Sequence, residues 1–112
     1  MTAIITDEFM RQMLAKARDY VVVILKTGPN RNKAGVEKTI WEHVRRNFAL
    51  RASGLLSIVC PVSDASDVRG VGIFNVSVEE VAKLMEEDPG VREGVFVYEI
   101  HVCRSFSGDG LK

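Results

Sequence analysis

The stretch Tyr20-Val21-Val22-Val23-Ile24-Leu25-Lys26 decides the fold. It is apolar almost without interruption and rich in β-branched residues, with no polar residue alternating through it. Such a run reads as a strand buried on both faces, and a strand of that kind lies at the centre of its sheet. Upstream, Thr6 or Asp7 can cap a helix from about Glu8 to Ala17, with Phe9, Met13 and Leu14 as its apolar stripe and Met10 and Ala17 beside it. Downstream, Thr27 to Gly35 holds Gly28, Pro29, Asn30 and Asn32, the composition of a loop.

The longest helical pattern follows, from Val36 to Ser53. Val36, Ile40, Val44 and Phe48 form an i, i+4 ladder, flanked by Trp41 and Leu50, and Gly54 stands where a C-terminal cap glycine belongs. Leu55 to Cys60 reads as a second strand stopped by Pro61, and Ser63 to Asp67 as a polar hairpin connection. Gly70 to Val76 is a third strand, its two glycines pointing to a close approach or a bulge. Ser77 with Glu80 three residues on is a capping-box signature for a helix to about Glu87, broken at Asp88-Pro89-Gly90. Val95 to Cys103 is the last strand, with Phe96, Tyr98, Ile100 and Val102 on one face. Arg104 to Lys112 reads as a loose, glycine-bearing tail.

After the N-terminal helix the order is β-α-β, β-α-β, the split pattern of the ferredoxin-like α+β fold. In that topology a four-stranded antiparallel sheet, ordered 4-1-3-2, carries two helices on one face. The other face needs a cover, and a second copy of the chain is the simplest one. Cys60 and Cys103 then fall on opposite edge strands, beyond the ~6 Å Cα separation of a disulfide. Both read as buried or half-buried thiols.

Length and charge narrow the function classes. The 112 residues fit a single domain, 1–112, with residues 1–18 as an additional N-terminal segment and 105–112 as the tail. Lysine plus arginine and aspartate plus glutamate both count 15, so net charge gives no reason to expect nucleic acid or a membrane surface. There is no apolar run of ~20 residues and no secretory pattern at the N-terminus, which leaves a cytoplasmic protein as the plain expectation. Arg69-Gly70-Val71-Gly72-Ile73-Phe74 resembles the start of an RNA-recognition-motif signature. Its base-stacking positions, however, hold Val71, Ile73 and Val76, none of them aromatic.

His43 borders the apolar stripe of the long helix, and Asp88 closes the following one. Helices on one face of a sheet can bring two such residues together. A carboxylate that accepts from one imidazole nitrogen fixes the tautomer and leaves the other nitrogen to exchange protons, the minimum apparatus of general acid–base catalysis. A purely structural His–Asp pair, or a turn aspartate alone, fits the spacing as well. Arg69 could clamp a carboxylate or be an exposed strand-start arginine. His101 and Glu99 alternate with apolar residues on the last strand, which suits either pocket or solvent. A metal held by His43, Asp88 and His101 would require helix, helix end and strand to converge, so no metal is expected.

Trp41-Glu42-His43, Gly54-Leu55-Leu56, Cys60-Pro61, Val68-Arg69-Gly70-Val71-Gly72-Ile73-Phe74, Val78-Glu79-Glu80-Val81, Asp88-Pro89-Gly90-Val91 and Gly94 together resemble the YCII-related (YciI-like) family over roughly residues 18 to 105. The resemblance implies a dimeric α+β barrel in which two sheets face each other. It implies a homodimer with a small-molecule ligand, no cofactor, and an active site at His43 and Asp88. The expected activity is proton transfer, as an isomerase or lyase on a small organic acid or lactone, with a non-catalytic ligand-binding or structural dimer as the alternative. Trp41, Arg69, Cys60 and His101 are the candidate substrate-binding residues. Two departures stand out. Cys60 replaces the family's usual glycine before proline, where its side chain would narrow any space, and the N-terminal helix is additional, able to cover an edge or extend a dimer contact.

Overall fold

The computed structural model describes residues 2–112 and leaves Met1, the start of the additional segment, outside the described residues. Its elements are α1 (Asp7–Ala15), β1 (Ala17–Thr27), α2 (Val36–Ala52), β2 (Leu56–Pro61), β3 (Val68–Phe74), α3 (Val78–Glu86), α4 (Pro89–Arg92) and β4 (Phe96–Phe106). The strands form one antiparallel sheet in the order β2-β3-β1-β4, so the apolar run of β1 is central, as its composition predicts. Burial along β1 alternates: Val21, Val23 and Leu25 are buried while Val22 and Ile24 are half-buried. The expectation of burial on both faces is therefore met on one side only, because the helices cover a single face.

The helix-covered face carries the core, in which Val21, Val23, Leu25, Leu56 and Phe74 of the sheet meet Val36, Val81 and Met85 of the helices. Local chemistry sets the boundaries. Thr6 Oγ1 accepts from Phe9 N at 3.1 Å, and Ser77 Oγ accepts from Glu80 N at 3.2 Å. α2 ends in a Schellman turn, with Gly54 N donating to Arg51 O and Leu55 N to Leu50 O. Gly54 sits at φ +83°, where a side chain would be strained.

Several sequence expectations are corrected. Residues 105 and 106 are not loose tail: Ser105 and Phe106 pair with Arg18 and Ala17, because β1 begins before its apolar run and draws β4 along with it. Pro61 stops β2 as expected, but as its last residue, in register with Gly70, which an edge strand tolerates. Cys60 is exposed rather than buried, since it faces the uncovered side of the sheet opposite Val71. α1 covers nothing in the single chain, and Phe9, Met10 and Leu14 stand 47%, 49% and 58% exposed. Among the described residues no helix is long and apolar enough to cross a membrane.

Candidate active site

α2 does not present the face its ladder suggests. Each i, i+4 step advances about 40° around a helix, so a ladder of three steps drifts off any fixed face. Val36 is buried, but Val44 and Phe48 are 38% and 56% exposed. The inward line runs instead through Val36, Ile40, His43, Asn47 and Leu50, and it places the imidazole of His43 inside, 8% exposed.

Asp88 does not simply terminate α3. It is the N-cap of the short helix α4, an element hidden from sequence reading because Asp88-Pro89-Gly90 is equally a turn signal. Asp88 Oδ2 accepts from Gly90 N at 3.0 Å and Val91 N at 3.2 Å. Gly90 has to be glycine here: a Cβ would lie 2.6 Å from Phe96 Cδ2 and 3.1 Å from Asp88 Oδ2. The carboxylate, 1% exposed, is thereby aimed at α2.

The two residues meet. His43 Nδ1 lies 2.8 Å from Asp88 Oδ1 and 2.9 Å from Oδ2. A carboxylate oxygen accepts, so Nδ1 carries the hydrogen of this contact. Asn47, one turn along the same helix, donates its amide Nδ2 to His43 Nε2 at 3.3 Å. Phe96 packs against the imidazole with ring centroids 4.9 Å apart, and Arg46 Nη1 stands 3.7 Å from Asp88 Oδ1. Asn47 and Phe96 are residues the sequence reading missed. The i+4 spacing of Asn47 from His43 was the available signal for the first; nothing local marks the second.

His43 and Asn47 line a cavity of about 300 Å³ between α2 and the sheet. Gly70 and Gly72 form its floor, so the sheet contributes backbone where other residues would contribute bulk. A Cβ at Gly72 would press on Leu56 Cδ1 at 3.2 Å and Phe74 Cε1 at 3.4 Å. Ile40, Val44 and Phe48 supply the opposite wall, which accounts for the exposure of Val44 and Phe48.

Of the candidate binding residues, only Arg69 reaches this cavity. Trp41 points away from it, 66% exposed on the outer side of α2. Cys60 and His101 lie on the uncovered face of the sheet, Cys60 opposite Val71 and His101 opposite Val22, and His101 Nε2 is 3.2 Å from Glu99 Oε1. His43, Asp88 and His101 are thus split between the two faces of the sheet. Arg31, from the loop after β1, is an unforeseen lining residue. That loop is tied down by Gly28 N donating to Val95 O and Asn30 N to Gly94 O, each at 2.8 Å.

No family model and no curated protein sequence matches the chain. Among solved structures it is similar to 5-chloro-2-hydroxyhydroquinone dehydrochlorinase (TftG) from Burkholderia phenoliruptrix AC1100, in complex with 2,5-dihydroxybenzoquinone. That likeness has a TM-score of 0.51 at 18% identity, covering 81% of this chain and 96% of that one. The fold is therefore an α+β architecture also found in an enzyme.

Proposed function

We propose that the protein is a small-molecule enzyme related to the YCII-related family, using His43 as proton shuttle and Asp88 to orient it. The reaction class is isomerisation or elimination at a carbon next to a carbonyl, on a small organic acid or lactone. His43 Nε2, given up by the 3.3 Å Asn47 hydrogen bond when substrate enters, would take the proton from that carbon. It would then return the proton to a neighbouring position, or keep it while a leaving group departs with its bonding electrons. The observation that carries this reading is the 2.8 Å Nδ1–carboxylate contact beside a largely apolar cavity, which holds the imidazole in one tautomer where a substrate would sit. The active unit is proposed to be a homodimer, with a second copy covering the half-buried Val22, Ile24, Val71 and Ile73 of the open sheet face.

The neighbour's name suggests a first substrate to try. Chloride release from 5-chloro-2-hydroxyhydroquinone and deuterium uptake beside the carbonyl in a panel of keto acids and unsaturated lactones would be followed in D2O by NMR. Turnover found with wild type should fall about 10²–10⁴-fold in His43→Ala. Unchanged turnover in that variant would remove the role assigned to His43.

A second reading has its own support: Asp88 caps α4 and thus serves the fold in any case. Were the pair only structural, His43→Ala and Asp88→Asn would lower Tm and leave the affinity for any cavity ligand untouched.

A further inference from the structure

Arg69 is on the wrong side of its strand by simple alternation. Gly70 and Gly72 pair with Leu25 and Val23, so they face the helices, and the residue before Gly70 should face the open side. The register between β1 and β3 slips at this point: Leu25 pairs with Gly70, but Lys26 pairs with Val68, and Arg69 has no partner on β1. This is a β-bulge, and bulges re-aim side chains. It turns Arg69 to the covered face, where the residue lines the cavity.

The guanidinium is also held. Its Nη2 donates to the backbone carbonyl of Ser66, in a turn that Asp64 stabilises by accepting from Ser66 N at 2.9 Å and from Ser66 Oγ at 2.5 Å. The Nε of Arg69 is different. Among the described residues it is the buried side-chain nitrogen or oxygen without a hydrogen-bond partner. A buried donor with no acceptor is rare in a native fold and needs a reason. The charge around the guanidinium is unusual as well. Arg31 and Arg69 are the charged groups that line the cavity, no aspartate or glutamate does so, and neither arginine is in an ion pair within 4.0 Å among the described residues.

We infer that the cavity takes an organic carboxylate, paired with the guanidinium of Arg69 that the bulge turns toward it, with Arg31 adding positive charge. This rests on reading the cavity as the substrate site, and it narrows that reading from acid or lactone to acid. A carboxylate offers the planar acceptor that a guanidinium edge matches, and its charge would be offset by two arginines in surroundings that otherwise suit an apolar body. An uncharged lactone would bring no charge to either arginine, of which Arg69 has Asp64 close enough to feel it and Arg31 has no ion pair within 4.0 Å among the described residues.

The test uses the full-length protein and two probes of equal shape, benzoate and its neutral counterpart benzamide. The Arg69 Nε–H resonance of 15N-labelled wild type, assigned by its loss in Arg69→Gln, is followed during titration with each. The expected result is a saturable shift with benzoate and a preference over benzamide of about tenfold or more, as a charge-assisted hydrogen bond supports. Arg69→Gln should abolish the preference, and Arg69→Lys should retain part of it. Equal binding of the two probes, or an Nε–H resonance that benzoate leaves unmoved, would overturn the proposal. The wild-type preference for benzoate over benzamide decides this even if a variant fails to fold. His43→Ala separates the two readings: benzoate preference that survives there supports the carboxylate site whether or not His43 proves to be catalytic.

Discussion

The two faces of the sheet are built from the same four strands but solve different problems. On the helix-covered face, Val23, Leu25, Leu56 and Phe74 pack to between 2% and 8% exposure, and two glycines open a deliberate gap in that packing. On the other face, Val22, Ile24, Val71 and Ile73 remain half-buried, and β4 adds Glu99 and His101 beside Lys26. The first face holds the His43–Asp88 pair and its cavity inside one chain. The second is apolar without a cover, and its polar residues pair with each other across the surface: Lys26 Nζ is 2.5 Å from Glu99 Oε2. The comparison teaches that exposure of apolar area has two meanings here. Beside α2 it marks the mouth of a cavity, and on the open sheet it marks an apolar face for which a second copy is the proposed cover.

Three changes would break or sharpen this contrast. The largest effect is expected on the covered side. Asp88→Ala removes the acceptor for Gly90 N, Val91 N and His43 Nδ1 together, and should cost about 3 kcal/mol. It should appear as a lower urea midpoint at unchanged slope. On the open side, Ile73→Lys places a charge between Val22 of β1 and Ile58 of β2. If two copies meet there, the buried unpaired charge should weaken the dimer by about 100-fold in sedimentation at micromolar concentration, while the monomer stays folded. A wild type that sediments as a monomer would leave the open face without its proposed cover.

The smallest effect belongs to Glu99→Gln. The hydrogen bond from Lys26, followed by that from His101, holds the Glu99 carboxyl below its ordinary value, and Glu99 in turn raises Lys26. The Glu99 contribution is complete above the ordinary carboxyl range and is lost as pH falls through the depressed value. The Lys26 contribution is complete below the ordinary lysine range and is lost as pH rises through the raised value. The variant should therefore differ from wild type at neutral pH and converge with it at both acid and alkaline extremes. The neutral-pH gap in Tm should be the least of the three, because these groups are solvent-screened.

Much of the fold was legible because its signals are local. The apolar run of β1, the Ser77 cap and Gly54 each act within a few residues, and each element they imply is present. The His43–Asp88 pairing was legible only as a possibility. Its residues are 45 apart in sequence, and the contact depends on α4, whose first turn looks like a simple break. Trp41, Cys60 and His101 stand apart from the cavity for a shared reason: sequence identifies the element, while the face is set by packing and register.

By itself the sequence determined which segments pair and in what order, since hydrophobic period and capping chemistry are properties of neighbouring residues. It also placed Tyr20 to Lys26 at the centre of the sheet, although not how deeply both sides of that strand would be covered. Only the tertiary structure decided that Asp88 turns back to His43, and that a single slip of register carries Arg69 from the open face to the cavity. Side-chain direction in a strand reverses with every residue, so one unpaired position decides which chemistry faces which space.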